Sequence, residues 1–205
     1  MKNIKLRVEH IDEINLKLLF RGANSSILNM FRRKIMSDVP TISIEYITIH
    51  ENTSNINDEF LCHRLCMIPI KIIDTQILDQ KDFKVKFTLN FYCTTKTSHV
   101  LAKHLKTNEK NVRLLYDDII ITSISEGQKI SITAVACIGT GKEHSKWCPV
   151  SSVHFIQKEK KSDYIFNIES IGTLRPEYIF IKSLKMMSKI SSEIEFDDMN
   201  KLQNF

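Results

Sequence analysis

Within residues 25–50, SSILNMFRRKIMSDVPTISIEYITIH, the apolar period changes at a single dipeptide, and no other stretch constrains the fold as strongly. Before it, Ile27, Leu28, Phe31 and Ile35 recur at helical spacing and predict a buried stripe. Gly22 permits a turn, and Asn24 or Ser25 can cap the helix by accepting a free first-turn N–H. Pro40 drives Val39 away from helical dihedrals, so the helix must finish near Ser37. After it, apolar and polar residues alternate. Ile42, Ile44, Tyr46 and Ile49 do not all share one face, which predicts a bulged or mostly buried strand.

The rest of the chain supplies elements of both kinds. Residues Asn3 to Phe20 read as extended, from the alternation in IKLRVEH and INLKLLF. Asp58 is expected to cap a short helix, EFLCHRLCMI, ended by Pro69. FKVKFTLNF puts Phe83, Val85, Phe87, Leu89 and Phe91 on one strand face. DDIIITSISEGQKISITAVACIG reads as a hairpin turning at Glu126-Gly127. A loop, GTGKEHSKWCP, leads to two further strands, VSSVHFIQ and DYIFNIES. Thr173 is expected to cap a long final helix with Pro176 in its first turn and a stripe of Phe180, Leu184, Met187, Ile190 and Ile194. FDDMNKLQNF reads as a polar tail. The fold class is α+β with antiparallel sheets.

With 205 residues, 42% of them hydrophobic, the chain can bury the core of one domain or two small ones. No apolar run approaches the roughly 18 residues needed to span a bilayer. The net charge of +5 is spread along the chain, and its densest run, QKEKKSD, contains acids and reads as a solvated turn. Such an excess is too modest to predict direct nucleic-acid binding. Five scattered cysteines, with no apolar stretch after Met-Lys-Asn-Ile-Lys to make a signal peptide, predict reduced thiols in a cytosolic or nuclear protein.

Three places offer candidate chemistry. Cys62, His63 and Cys66, with Cys93, are metal-ligand types, but no second tight ligand pair follows, so buried thiols on a short helix are expected. GTGKEH lacks the glycine spacing of a phosphate loop and has Glu143 after Lys142. His144 lies near Ser145 and Cys148 without a nucleophile-elbow motif. No active site is visible. Two features stay unexplained: adjacent Arg32 and Arg33 on an apolar helix, and Trp147, the only tryptophan, as a core anchor or an interface anchor.

Taken in order, NMFRRKIMSDVPTISIEYITIHENTS, DEFLCHRLCMIPI, GKEHSKWCPV and FNIESIGTLRPEYI resemble the third-largest subunit of eukaryotic RNA polymerase II. They are similar also to the archaeal counterpart of that protein, to the large assembly subunit shared by polymerases I and III, and more remotely to the bacterial alpha amino-terminal domain. The resemblance runs from about Asn3 to about Ser192. It implies an alpha-like dimerisation domain of sheet plus helices, residues 1–39 and 146–205, interrupted by a mainly β inserted domain, residues 40–145. It also implies a non-catalytic assembly subunit of a multi-subunit DNA-directed RNA polymerase, part of the holoenzyme but without its own active site. The implied partners are a small alpha-like subunit, the second-largest and largest subunits, and small zinc-binding subunits, with DNA met only indirectly and no membrane.

The resemblance assigns roles residue by residue. Ile27, Phe31, Leu184 and Met187 would lie on the heterodimer helices. Asn29, Arg32 and Arg33 would dock the second-largest subunit. Glu59, His63 and Arg64, with Lys142, His144 and Trp147, would shape the insert or touch the small zinc-binding subunits. The chain departs from the family in two ways: KIIDTQILDQKDFKVKF has no cysteine where polymerase II subunits carry a zinc loop, and no iron–sulfur cysteine array exists. No cofactor is therefore expected in this chain. The implied location is nuclear, or cytoplasmic or virion-borne for a chain from a large DNA virus. The rival readings are a stand-alone hydrolase using His144 with Ser145 or Cys148, and a direct nucleic-acid-binding module.

Overall fold

The computed structural model describes residues 4–80, 82–159 and 162–193, with side chains of the last helix as far as Ser188. The chain opens as two antiparallel strands, β1 (Lys5–Ile11) and β2 (Asn15–Arg21). Asp12 makes the turn between them. Its Oδ1 accepts the amides of Asn15 and Ile14 at 2.6 and 2.9 Å, and these bonds hold the carboxyl well below the usual carboxylate range. Helix α1 (Ser25–Ser37) follows, capped by Asn24, whose side chain accepts the Ser26 amide at 3.1 Å. Leu28, Phe31 and Ile35 are its buried stripe, and it stops where Pro40 requires.

Strand β3 (Pro40–Asn52) breaks register twice, between Ile44 and Tyr46 and between Ile49 and Glu51, so its apolar residues divide between faces as their spacing predicts. The middle of the chain adds α2 (Asp58–Cys66), β4 (Ile70–Ile72), β5 (Lys84–Tyr92), β6 (Thr97–Leu101), β7 (Val112–Leu114), β8 (Ile120–Ser125) and β9 (Lys129–Thr140). β9 lies between β3 and β5 in one sheet, while β4 with β7 and β6 with β8 form two small pairs. β5 buries Val85, Phe87 and Leu89 and exposes Lys84, Lys86 and Thr88, as its period of two demands.

Two expectations fail here. The β8–β9 hairpin does not form. The turn at Glu126-Gly127 exists, with Gly127 at φ 80°, but β8 pairs with β6 and β9 joins another sheet. The Gly127 amide donates to the Cys93 carbonyl at 3.0 Å, so the loop after β5 holds the turn. Asp58 is not a cap either. Asn57 occupies that position without a side-chain bond, and the Asp58 carboxylate accepts the Asn52 side-chain amide at 2.7 Å.

The chain then returns to the first sheet through β10 (Val150–Gln157) and β11 (Asp163–Ser170), giving the order β1-β2-β11-β10, and ends in α3 (Pro176–Glu193). Thr173 does not cap α3. The Ile179 amide bonds the Arg175 carbonyl at 3.2 Å, placing the cap two residues later, and the buried Thr173 hydroxyl has no partner among the described residues. Cross-strand pairs Leu16 with Ile168, Leu18 with Phe166 and Phe20 with Tyr164 face α1 and α3. Phe20 lies 6.2, 5.8 and 6.2 Å from the rings of Phe31, Phe166 and Phe180, so four phenylalanines knit sheet and helices together. The buried face of α3 is Ile179, Phe180 and Ser183; of the expected stripe, Leu184 is exposed and Met187 half-buried, because Ser183 turns inward in place of Leu184. The side chain of Ile190, residue Ile194 and the polar tail lie outside the described residues. No described helix is long and apolar enough to cross a membrane.

Candidate functional site

On α1 the buried stripe leaves Asn29, Met30, Arg33 and Met36 exposed on the opposite face, with Arg32 on its flank. Asn29 and Arg32 act together: the Asn29 Oδ1 accepts Nε and Nη2 of Arg32 at 3.1 and 3.0 Å, which fixes the guanidinium plane along the helix. Arg33 is exposed and bonds to no described residue. At the end of α1, burial pushes the Asp38 carboxyl up, but bonds from Lys34 at 2.5 Å and from Ser37 hold it below its ordinary range. Of the residues assigned to a helical pairing face, Ile27 and Met187 are half-buried and Leu184 exposed, whereas Phe31 packs inside the chain's own aromatic core.

On α2, Glu59, Phe60 and His63 are exposed, as is Met67 just beyond its end. Arg64 has a different position. Its Nε donates to the Ile121 carbonyl at 2.7 Å and its Nη2 to the Ile120 carbonyl, so it ties α2 to β8 within the chain. Cys62 and Cys66 lie on the inner flank, where burial pushes both thiols up. Among the described residues, no group of three or more His, Cys, Asp or Glu side chains is placed to hold a metal ion.

The loop after β9 is built around Trp147. Its indole is buried, donates to the Cys137 carbonyl at 3.2 Å, and packs so closely on Gly139 that a Cβ there would clash with the ring. Gly141 lies equally close to the Met36 carbonyl at the end of α1, and the next amide, Lys142, donates to Ser37 at 2.9 Å. The two glycines therefore serve close packing rather than a phosphate cradle. Lys146 lies over the indole at 4.3 Å from its centroid, donates to the Ile44 carbonyl at 3.0 Å and pairs with Glu45. Lys142 and His144 remain exposed at the tip. The His144 Nδ1 accepts the Lys146 amide at 3.1 Å, and the Cys148 thiol donates to the Val150 carbonyl at 3.4 Å. Nothing joins the imidazole to Ser145 or Cys148, and the hydrolase reading is without support.

The structure adds a surface that the sequence does not announce. Leu6, Val8 and Ile11 pair with Phe20, Leu18 and Leu16 and so share the face of the sheet that carries the core. They are 47%, 52% and 50% exposed, and every residue of β1 is exposed. Ile181 and Leu184 on α3 are likewise exposed. Alternation in IKLRVEH signals the strand, but no local pattern distinguishes a covered edge from an open one.

This is an α+β chain whose principal sheet continues, with its apolar face uncovered, beyond its own helices. Residues 17–190 match the RNA polymerase Rpb3/Rpb11 dimerisation domain, and the chain belongs to that family. It is 33% identical over 168 residues to the DNA-directed RNA polymerase subunit Rpo3 of Methanocaldococcus jannaschii, covering 79% of each chain. It is 30% identical over 153 residues to Rpo3 of Pyrococcus furiosus, covering 73% of this chain and 58% of that one. With the DNA-directed RNA polymerases II, IV and V subunit 3 of Arabidopsis thaliana it shares 30% identity over 200 residues, 84% of this chain and 62% of the relative. The chain thus spans little more than half the length of several curated relatives it matches.

Proposed function

We propose that this chain is a non-catalytic assembly subunit of a multi-subunit DNA-directed RNA polymerase, pairing with a small alpha-like subunit through the sheet face that its own helices leave open. The observation that carries this is the row Leu6, Val8 and Ile11, continuous with the buried rows of the sheet yet about half exposed. An apolar row of this kind is the type of surface that marks protein–protein contact. In this reading residues 1–39 and 146–205 form the pairing domain and 40–145 the insert. Arg33 and the Asn29–Arg32 pair would dock the second-largest subunit, after which the largest joins. Glu59 and His63, with Lys142 and His144, would face the small zinc-binding subunits, and Arg64 and Trp147 would hold the insert in shape. Contact with DNA would be indirect.

Two double variants separate these roles when the tagged chain is co-expressed with its small and large partners. Leu6→Asp/Val8→Asp is expected to lose the small subunit. Arg32→Ala/Arg33→Ala is expected to keep it while recovering less of the second-largest subunit, since a few anchors carry most of an interface. Undiminished recovery of the small subunit by the first variant would overturn the pairing reading.

A further inference from the structure

A cleft of about 820 Å³ lies between the N-terminal turn of α3, the paired strands β4 and β7, and the turn that joins β1 to β2. Lys71, Arg113 and Arg175 line it beside three exposed aliphatic side chains, Ile14, Ile73 and Ile181. It does not end there. Arg113 and Leu115 are shared with a second hollow that carries Lys103 and Lys106, and Lys106 and Thr107 are shared with a third that carries Lys84 and Lys86 on the outer face of β5. The three hollows form one groove along the middle of the chain. Of its seven cations only Arg175 has an ion-pair partner among the described residues, Glu177 at 3.4 Å. The field reaches inward: after burial, Lys103 and Lys106 are the groups that hold the His104 imidazole below its ordinary pKa.

We propose that this groove receives an extended acidic polypeptide segment of a partner chain, with carboxylates spaced between aliphatic residues. Charge complementarity sets the sign of the occupant. Two observations select a peptide over a nucleic acid. The aliphatic wall of Ile14, Ile73 and Ile181 matches aliphatic side chains. Four carboxylates, Glu13, Glu177, Glu109 and Asp117, interrupt the cations and would oppose a continuous run of phosphates, but not acids set at intervals. The site is distinct from the pairing face and stands whether or not that face binds the small subunit.

The test uses the full chain and a short fluorescein-labelled peptide of alternating Glu and Val, read by fluorescence anisotropy. The expected result is saturable binding that weakens as salt rises, and falls about tenfold or more in Lys103→Glu/Lys106→Glu, because like charges then face each other. A second variant, Lys84→Glu/Lys86→Glu, places the same reversal on the exposed face of β5, where folding is undisturbed, and should weaken binding in the same direction. A single-stranded DNA oligonucleotide of equal charge should bind more weakly than the peptide. Absence of peptide binding, indifference to both reversals, or tighter binding of the oligonucleotide would each overturn the proposal.

Discussion

Trp147 shows how much one side chain can settle. Its ring fills the space above Gly139, its N–H reaches Cys137, its carbonyl accepts the Thr41 hydroxyl at 2.7 Å, and Lys146 lies over its face. The tryptophan was visible in the sequence as an anchor, but whether it faced inward was not, because that depends on Gly139 eight residues earlier and on β3 a hundred residues away. Trp147→Ala should cost about 3–5 kcal/mol, and Gly139→Ala about 1–3 kcal/mol through overpacking. Denaturant unfolding of the double variant should give less than the sum, since removing the ring frees the space that the new methyl needs. His104 offers a pH test at the same scale. Its Nδ1 accepts the Leu101 amide at 3.0 Å and its ring lies 4.6 Å from Phe91, so the native state holds it neutral. Burial first, then Lys103 and Lys106, place its folded pKa below the unfolded value near 6.5. The unfolded chain therefore takes up the proton first as pH falls, and this contribution, complete above about pH 6.5, is lost below it. Thermal melts at neutral and mildly acidic pH should show that loss, and His104→Asn should reduce the difference between them.

Elements were legible where the signal is local. Helix α1 follows from its apolar spacing, its Asn24 cap and the Val39-Pro40 stop, and Asn24→Ala should cost about 1 kcal/mol in denaturant unfolding. Strand β5 follows from the alternation of Val85, Phe87 and Leu89. Pairing was not legible. Gly127 supplies the turn that a β8–β9 hairpin needs, yet β8 joins β6, because ladder partners are chosen by tertiary burial and not by turn chemistry. Arg64 escaped for the same reason: its partners, Ile120 and Ile121, lie 56 and 57 residues away. It reads as an exposed helical arginine until the fold brings β8 beneath it. Those two bonds are charge-assisted, so Arg64→Ala should destabilise the α2–β8 contact by about 1.5–3 kcal/mol per lost bond at most, discounted for its partial exposure. Hydrogen exchange at the amides of α2 would report the loosening directly.

At the scale of the whole molecule, the decisive feature is a sheet wider than the helices that cover it. β2, β11 and β10 find apolar partners within the chain, but Leu6, Val8 and Ile11 keep about half of their surface in water. Leaving them so is unfavourable by roughly 25 cal/mol for each Å² of apolar surface that a partner would cover. A chain in this state is stabilised by any molecule that binds its folded form and not its unfolded one, by an amount set by concentration over Kd. At a hundredfold excess over Kd this amounts to about 2.7 kcal/mol. On the proposed pairing, titrating a purified small alpha-like subunit into this chain should raise its melting midpoint progressively, and the rise should continue past equivalence. Leu6→Asp/Val8→Asp should lower the midpoint of the free chain only modestly, since about half of each side chain is already in water, and abolish the rise. A rise that survives those substitutions would place the stabilising contact elsewhere on the molecule, and the open sheet face would then need another occupant.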